Sequence, residues 1–325
     1  MQEIRSFLYL SRADVEAVGL AMEEIIASVE RVFQEMGKGG VEMPPKPGIH
    51  TRPNAFIHAM PASIPSLGAA GMKWVSGYPG NQSKGLPYIS GLLILNDPET
   101  GLPLAVMDCT WITAKRTGAA TAVAAKYLAR KDSRSVGIIA CGVQGRSNLE
   151  ALACLFRIQT VKAYDLHPEI AKQFAREMGN RLHLEIEPVA ELAGAVKQMD
   201  IVVTSGPILK DPEPAIKAGW LSEGGFASLV DFDSSWQVDA LREAHKLATD
   251  DMAQMAYYRR EGYFRTTPTP YADLGEIVAG KKPGRESQNE RTMAINLGIG
   301  SEDIAAAVLV YRRAREKKIG VELPL

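Results

Sequence analysis

The sequence predicts an α/β protein, with a Rossmann-type doubly wound parallel sheet domain joined to an α+β domain. Three observations carry this. Residues 134–165, RSVGIIACGVQGRSNLEALACLFRIQTVKAYD, read as strand, glycine turn, helix, strand and closing acid. Beyond Asp165, short apolar runs alternate with helical stretches, the rhythm of a parallel sheet with helices on both faces. The segments before the helix that begins near residue 113 are short, strand-like and separated by turns such as DPETG at 97–101, as in antiparallel hairpins.

In chain order, residues 7–10 read as a short strand. Ser11 is then the N-cap of one helix running to about residue 36, with Val15, Val18, Met22, Ile25, Ile26, Val29 and Phe33 at 3.6-residue spacing. Gly37, Gly39 and Gly40 end it. Residues 41–61 are proline-rich and extended, with a strand at 56–60. A strand at 71–75 carries Lys73 among apolar neighbours; on pattern alone, such a lysine belongs on a solvated face. A loop spans 77–87, and strands at 90–96 and 102–107 flank the DPETG turn. The helix at 113–130 has small residues along one side, which permits close approach of another helix, a subunit or a ligand. Arg116 sits in its first turn, where a cation opposes the helix dipole and so points to some other purpose.

The nucleotide unit follows. Residues 136–140 form an uninterrupted apolar run, as in a buried parallel strand. Gly142 and Gly145 come next, bracketing Val143 and Gln144. A turn without Cβ atoms lets a pyrophosphate approach the backbone, and the helix N-terminus offers free N–H groups to it. The helix at 148–157 shows Leu149, Leu152, Ala153 and Phe156 on one face, and a strand at 161–164 leads to Asp165. The interval from Gly142 to Asp165 is 165 − 142 = 23 residues, close to the ~20 expected between phosphate turn and ribose acid. A carboxylate there accepts bonds from a ribose 2′-OH and repels a 2′-phosphate, which favours NAD over NADP. Ala140 stands where the first glycine of GxGxxG is usual, so the match is AxGxxG.

Helices at 168–178, 189–197 and 235–244 then alternate with strands at 184–186, 200–204, 226–230 and 247–249. Asp165, Thr204 and Asp231 each close a strand and should share the C-terminal rim, where ligands of such sheets lie. Thr204 and the adjacent Ser205 are read as cofactor contacts. A short helix is expected at 272–279, and residues 291–298 lead into a last helix at 301–314 with Ile304, Ala307, Val308 and Tyr311 on one face. The expected domains are 119–300 for the nucleotide and 1–118, joined by 301–325, for the rest.

Composition bounds the partners. With 46% hydrophobic and 23% charged residues the chain is of globular type, and a net charge of −1 gives no reason to expect nucleic acid or a membrane surface. No apolar run reaches the ~18 residues of a membrane helix, and the N-terminal stretch MQEIRSFLYLSRADV lacks signal-peptide architecture, so a cytoplasmic protein is expected. Three cysteines and five scattered histidines show no metal-ligand spacing, so no metal site is expected.

Several blocks together resemble the ornithine cyclodeaminase/mu-crystallin family: GMKWVSGYPGN at 71–81, GLP at 85–87, LNDPETGLPLAVMD at 95–108, ITAKRTGAATAVAAKYLAR at 112–130, GVQ at 142–144 and LGEIVAGKKPGR at 274–285. The match covers most of the chain. By position, the resemblance implies that Arg52, Lys73 and Arg116 bind a substrate α-carboxylate. It implies that Asp231 is catalytic together with Lys73, that Thr117 and Asn296 stand on the cofactor side, and that two copies of the first domain join in a homodimer about a twofold axis. The chain departs from the family at Ala140, at Cys109 where glycine is frequent, at FDSSW (232–236) where a stretch containing glycine and lysine is common, and at Asn296 where serine is common.

The implied activity is NAD-dependent hydride transfer at Cα of an L-amino acid, with Asp231 beside the nitrogen and Lys73 across the expected cleft. In a cyclodeaminase the imine is closed by a terminal amine, ammonia leaves and the hydride returns. In an alanine dehydrogenase-like or imine/ketimine reductase enzyme, NADH is a true co-substrate. A non-catalytic ligand-binding protein of mu-crystallin type is the third reading. The cyclodeaminase reading leads because Asp231 is present.

Overall fold

The computed structural model describes residues 6–325. Residues 1–5, which begin the stretch read for a leader, lie outside the described residues. The chain divides into two compact units, Met1–Arg116 with Ile299–Leu325, and Thr117–Gly298.

The first unit opens with β1 (Ser6–Leu10), α1 (Arg12–Ala17) and α2 (Met22–Lys38), where one continuous helix was expected. Gly19, at φ +68°, turns the chain out of the helix between them. Ser11 does cap α1: its hydroxyl accepts from Asp14 N, and the Asp14 carboxylate accepts from Ser11 N at 2.9 Å. Glu24 likewise takes Ala21 N at 2.9 Å and starts α2 afresh. The apolar stripe runs on across the break, so spacing alone could not reveal it.

There follow β2 (Gly48–Ile49), β3 (Phe56–Ile64), β4 (Ala69–Gly77), β5 (Ile89–Asn96) and β6 (Pro103–Asp108). The expected loop at 77–87 contains a 3-10 turn, Pro79–Lys84. After β6, α3 (Thr110–Leu128) begins. The last helix is α9 (Gly300–Lys317), followed by β15 (Val321–Pro324). The seven-stranded sheet has the order β15-β1-β6-β5-β4-β3-β2. Among the described residues, only the β1–β6 pairing of this sheet is parallel. Side chains alternate across it. Leu8, Leu10, Met60, Val75, Leu93, Leu95 and Met107 are buried, whereas Tyr9, Trp74 and Leu92 are exposed. Lys73 falls on the buried parity, against α9, and not on a solvated face.

In the second unit, β7 (Ser135–Ile139), α4 (Val143–Leu155), β8 (Thr160–Tyr164), α5 (Pro168–Leu182), β9 (Ile186–Pro188), β10 (Ile201–Thr204), β11 (Phe226–Leu229), α6 (Val238–Arg242), β12 (Lys246–Thr249), α7 (Met252–Arg260), β13 (Ala272–Asp273), α8 (Leu274–Val278) and β14 (Thr292–Ile295) follow in turn. They build an eight-stranded sheet, order β13-β12-β14-β11-β10-β7-β8-β9, with every pairing parallel. This is the doubly wound Rossmann-type arrangement. The order reverses at β7 and β10, the switch point where ligands bind in such sheets.

Three local expectations change. Residues 189–197 hold only a 3-10 turn, Leu192–Ala195. The helix after Asp231 shrinks to α6, and α7, capped by the Asp251 side chain on Gln254 N, was not foreseen. Residues 292–295 are not a lead-in but a central strand between β11 and β12. The small residues of α3 serve another helix: a Cβ on Gly118 would lie 2.4 Å from Ser147 O of α4, a contact only glycine allows.

Candidate active site

The phosphate turn runs from the end of β7 into α4. Ala140 adopts φ +68°, the left-handed region that glycine occupies without strain. Its carbonyl leaves no room for a side chain at position 145, since a Cβ on Gly145 would lie 2.6 Å from Ala140 O. Gly142 differs. Its φ is −78°, and an added Cβ would meet no protein atom within 4 Å. The protein's own packing therefore does not demand glycine there, and the open backbone would let a pyrophosphate approach closely. Gly142 is the N-cap of α4 without a side-chain cap, so the first N–H groups of the helix remain for an anion. Gln144 Oε1 is buried and lacks a hydrogen-bond partner. Arg146 braces the turn by donating to the carbonyls of Cys141 and Gly142.

Asp165 closes β8 beside this turn. Its Oδ2 accepts from Cys141 N at 2.9 Å and its Oδ1 from His167 N at 3.0 Å. Those bonds fix the carboxylate at the rim while leaving lone pairs on both oxygens. Ser205, after β10, donates to Ala140 O at 3.0 Å and so ties the two strands of the switch point together. A free glycine edge, an uncapped helix start, a fixed acid and an orphan acceptor suit a dinucleotide whose ribose carries a free 2′-OH.

Asp231 follows β11 and is wholly buried. Thr204 Oγ1 donates to its Oδ1 at 2.6 Å, and Ser235 Oγ donates to its Oδ2 at 2.5 Å. Trp236 Nε1 donates in turn to Thr204 Oγ1 at 3.2 Å. Burial pushes the Asp231 carboxyl up to about 6, although the Ser235 and Thr204 hydroxyls hold it down. The next residue, Phe232, has φ +62°, a strained conformation for a bulky side chain. It is gripped by Tyr258, Tyr263 and Phe264, with ring centroids 5.0, 5.9 and 5.0 Å away. The FDSSW stretch thus anchors the acid through packing and a serine rather than through glycine.

In the first unit, Lys73 and Arg116 meet two acids from the first turn of α9. Lys73 Nζ lies 2.7 Å from Asp303 Oδ2. Arg116 donates from Nε to Asp303 Oδ1 at 3.0 Å and from Nη1 to Glu302 Oε2 at 2.7 Å. All four are buried. Burial lowers the Lys73 pKa while Asp303 opposes that shift, and burial raises Glu302. Thr113 Oγ1 lies 3.4 Å from Lys73 Nζ. Cys109 is pushed up to about 11 by burial and stays a neutral thiol.

Lys73 and Arg116, then, are brought together through Asp303, while Arg52 stands on an exposed bend before β3. Asp165, Thr204 and Asp231 close three strands of one parallel sheet. The Thr204 hydroxyl donates to Asp231 and accepts from Trp236 Nε1, and the residue is fully buried, so its side chain holds the acid in place. Asn296 donates to Ser228 Oγ at 2.9 Å and to Thr121 Oγ1 at 3.3 Å, and its Oδ1 is buried without a partner. Thr117 is buried one residue after Arg116. Sequence reasoning missed Glu302, Asp303, Ser235 and Trp236. The first two carried one available signal, adjacent acids directly before the apolar run IAAAVLV at 304–310, but acids are ordinary in a first helical turn. Among the described residues, no group of three or more His, Cys, Asp or Glu could hold a metal ion, and no helix is long and apolar enough to cross a membrane.

A parallel sheet with a glycine turn at its switch point, an acid closing the next strand and a buried acid at the neighbouring rim is of the Rossmann-type dinucleotide-binding class. Within it, the chain belongs to the ornithine cyclodeaminase/mu-crystallin family, which it matches over residues 7–318. It is 38% identical to the alanine dehydrogenase of Archaeoglobus fulgidus over 327 residues, 97% of this chain and 98% of that one. Among solved structures it is similar to the Δ1-pyrroline-2-carboxylate reductase of Thermococcus litoralis in complex with NADH and L-proline (38% identity, TM-score 0.88, 98% of this chain and 100% of that one). It is also similar to an archaeal alanine dehydrogenase dimer with bound NAD (37% identity, TM-score 0.87, 98% and 99% covered).

Proposed function

We propose that this protein is an NAD(H)-dependent enzyme that interconverts an L-amino acid and its imine at the Cα–N bond, as an amino acid dehydrogenase or imine reductase. The observation that carries this is the chemistry that each unit holds. Two buried cations, Lys73 and Arg116, suit an α-carboxylate, and a buried acid, Asp231, exchanges its proton near neutral pH. The alanine dehydrogenase and pyrroline-carboxylate reductase relatives support it.

Lys73 and Arg116 hold the substrate carboxylate and so orient Cα; a guanidinium can do this with two parallel bonds. NAD(H), bound on the Gly142–Gly145 turn with Asp165 at its ribose, takes or supplies the hydride at its nicotinamide. Asp231 moves the accompanying proton. Protonated, it gives a proton to the imine nitrogen as hydride reaches the carbon; ionised, it accepts one from the amine in the reverse direction. Thr204 and Ser235 keep its two oxygens in place. Asn296 Oδ1 is an acceptor suited to a carboxamide N–H. The cyclodeaminase reading shares the first half of this chemistry and uses Asp231 for the second amine.

A substrate panel tests this. Δ1-pyrroline-2-carboxylate, and pyruvate with ammonia, are offered with NADH and NADPH; alanine, proline, ornithine and lysine are offered with NAD. Consumption of NADH in proportion to imine reduced is the expected result, with NADPH poorer and Asp165→Ser narrowing that gap. Ammonia released from ornithine or lysine without net NADH would instead assign a cyclodeaminase, and no turnover with any of them would point to a binding protein.

We further infer a homodimer. Tyr9, Val106, Ile94 and Met72 form one row across the face of the seven-stranded sheet opposite Lys73, with Trp74 and Leu92 paired beside it. Of these, Trp74 is 43% and Leu92 45% exposed, a contiguous apolar patch of the kind that marks an interface. The dimeric archaeal alanine dehydrogenase supports the same reading. Sedimentation at micromolar concentration should give a dimer that Trp74→Glu weakens; a monomeric wild type removes the inference.

A further inference from the structure

The four buried charges around Lys73 balance. Lys73 and Arg116 contribute two positive charges, and Glu302 and Asp303 contribute two negative ones. A substrate carboxylate entering beside the cations adds a third buried negative charge, and an uncompensated charge in such a place is strongly disfavoured. The two acids are not equivalent. Asp303 faces a cation with each oxygen, Oδ1 toward Arg116 and Oδ2 toward Lys73 at 2.7 Å, although Oδ2 meets that cation as an ion pair and not as a well-directed hydrogen bond. Glu302 is engaged through Oε2 only; its Oε1 is buried and has no hydrogen-bond partner.

We propose that Glu302 is the proton acceptor that accompanies the substrate carboxylate: as the carboxylate binds at Lys73 and Arg116, one proton is taken up from solvent onto Glu302 Oε1. The step forms one O–H bond and changes no other covalent bond. It restores neutrality, with two cations, Asp303 and the substrate carboxylate charged and Glu302 neutral. It also gives the orphan Oε1 a proton to donate. The proposal rests on the reading of Lys73 and Arg116 as the carboxylate site. Burial, which already raises the proton affinity of Glu302, acts in the same direction.

No other group facing this cluster takes the role. From β4 the only titratable group is Lys73; the neutral Cys109 precedes α3, whose start carries Arg116 and Lys115, the latter over the Trp111 ring, while Asp108 at the end of β6 accepts from Thr110 N. β3 offers His58, held neutral by burial at about 3, with the charges of Lys46, His50 and Lys73 acting in the same direction. β5 carries no titratable group. On α1, Arg12 pairs with Glu16 and Asp14 caps the helix. On α2, Glu24 pairs with Arg313, Glu35 pairs with Lys38, and Arg31 donates to Ser66 O; Glu23 is exposed and Glu30 partly so.

Calorimetry on the NAD-loaded protein tests this with 2-furoate, a planar carboxylate without an ionisable nitrogen, in buffers of different ionisation enthalpy from pH 6 to 10. Wild type should take up close to one proton per site at the alkaline end. Its affinity should fall tenfold per pH unit there, because the ionised acid must be reprotonated for binding. Glu302→Gln should bind furoate with no uptake and flat pH dependence, and Asp231→Asn should retain the wild-type uptake. Furoate binding with no proton uptake at any pH overturns the proposal while leaving the carboxylate site intact. Wild-type affinity that Lys73→Met leaves unchanged overturns the carboxylate reading itself. The wild-type proton count decides the matter even if the Glu302 variant does not fold.

Discussion

Asp231→Asn is expected to slow turnover about a hundredfold, the equivalent of ~3 kcal/mol in the transition state, and to leave NAD affinity nearly unchanged. The asparagine keeps the shape of the side chain but can neither give nor take the proton that accompanies hydride transfer. The pH profile carries a second signature. Burial raises Asp231 to about 6, so the acid form predominates below that pH and the carboxylate above it. Oxidation of the amine, which needs the carboxylate, should rise with pH through about 6, whereas imine reduction, which needs the acid, should fall through the same region. Both inflections should vanish in the variant. Near-normal kcat with the true substrate would return Asp231 to the role of a strand-end cap held by Thr204 and Ser235.

Lys73→Met is expected to raise KM about a hundredfold with a smaller change in kcat, because a carboxylate anchor acts in ground state and transition state alike. The buried cluster adds a cost in stability. Without Lys73, Asp303 Oδ2 faces no cation, and breaking a buried pair in this way typically costs ~3–5 kcal/mol. The double variant Lys73→Met/Asp303→Asn separates the two effects. It should recover most of the lost melting temperature and none of the lost KM. Recovery of both would make Lys73 a structural partner of α9 and nothing more.

The strands and turns that position the nucleotide unit were legible because their signals are local. An apolar run, a glycine turn and an amphipathic helix each act over a few residues, and Asp165 follows at a spacing set by one βαβ crossover. Asp231 could be placed at a strand end for the same reason. The family blocks around Lys73 and Arg116 marked those residues but not their surroundings. β14 escaped because TMAI is too short to show a period, and its central place depends on pairing with β11 and β12. The break between α1 and α2 escaped because a hydrophobic stripe reports which face is buried, not whether the backbone is continuous.

What the sequence determined by itself, therefore, was the fold class, the phosphate turn with its acid, and the residue types able to meet a carboxylate and a proton. Only the tertiary structure decided their electrostatic state. Glu302 and Asp303 lie 186 and 187 residues from Arg116 along the chain, and Thr204 lies 27 residues from the carboxylate it holds. Charge balance and desolvation depend on distance through space and on exclusion of water. Neither leaves a periodicity that can be read along a chain, so the buried neutral cluster and the raised acid at Asp231 exist only once α9 packs on its sheet and β10 lies beside β11.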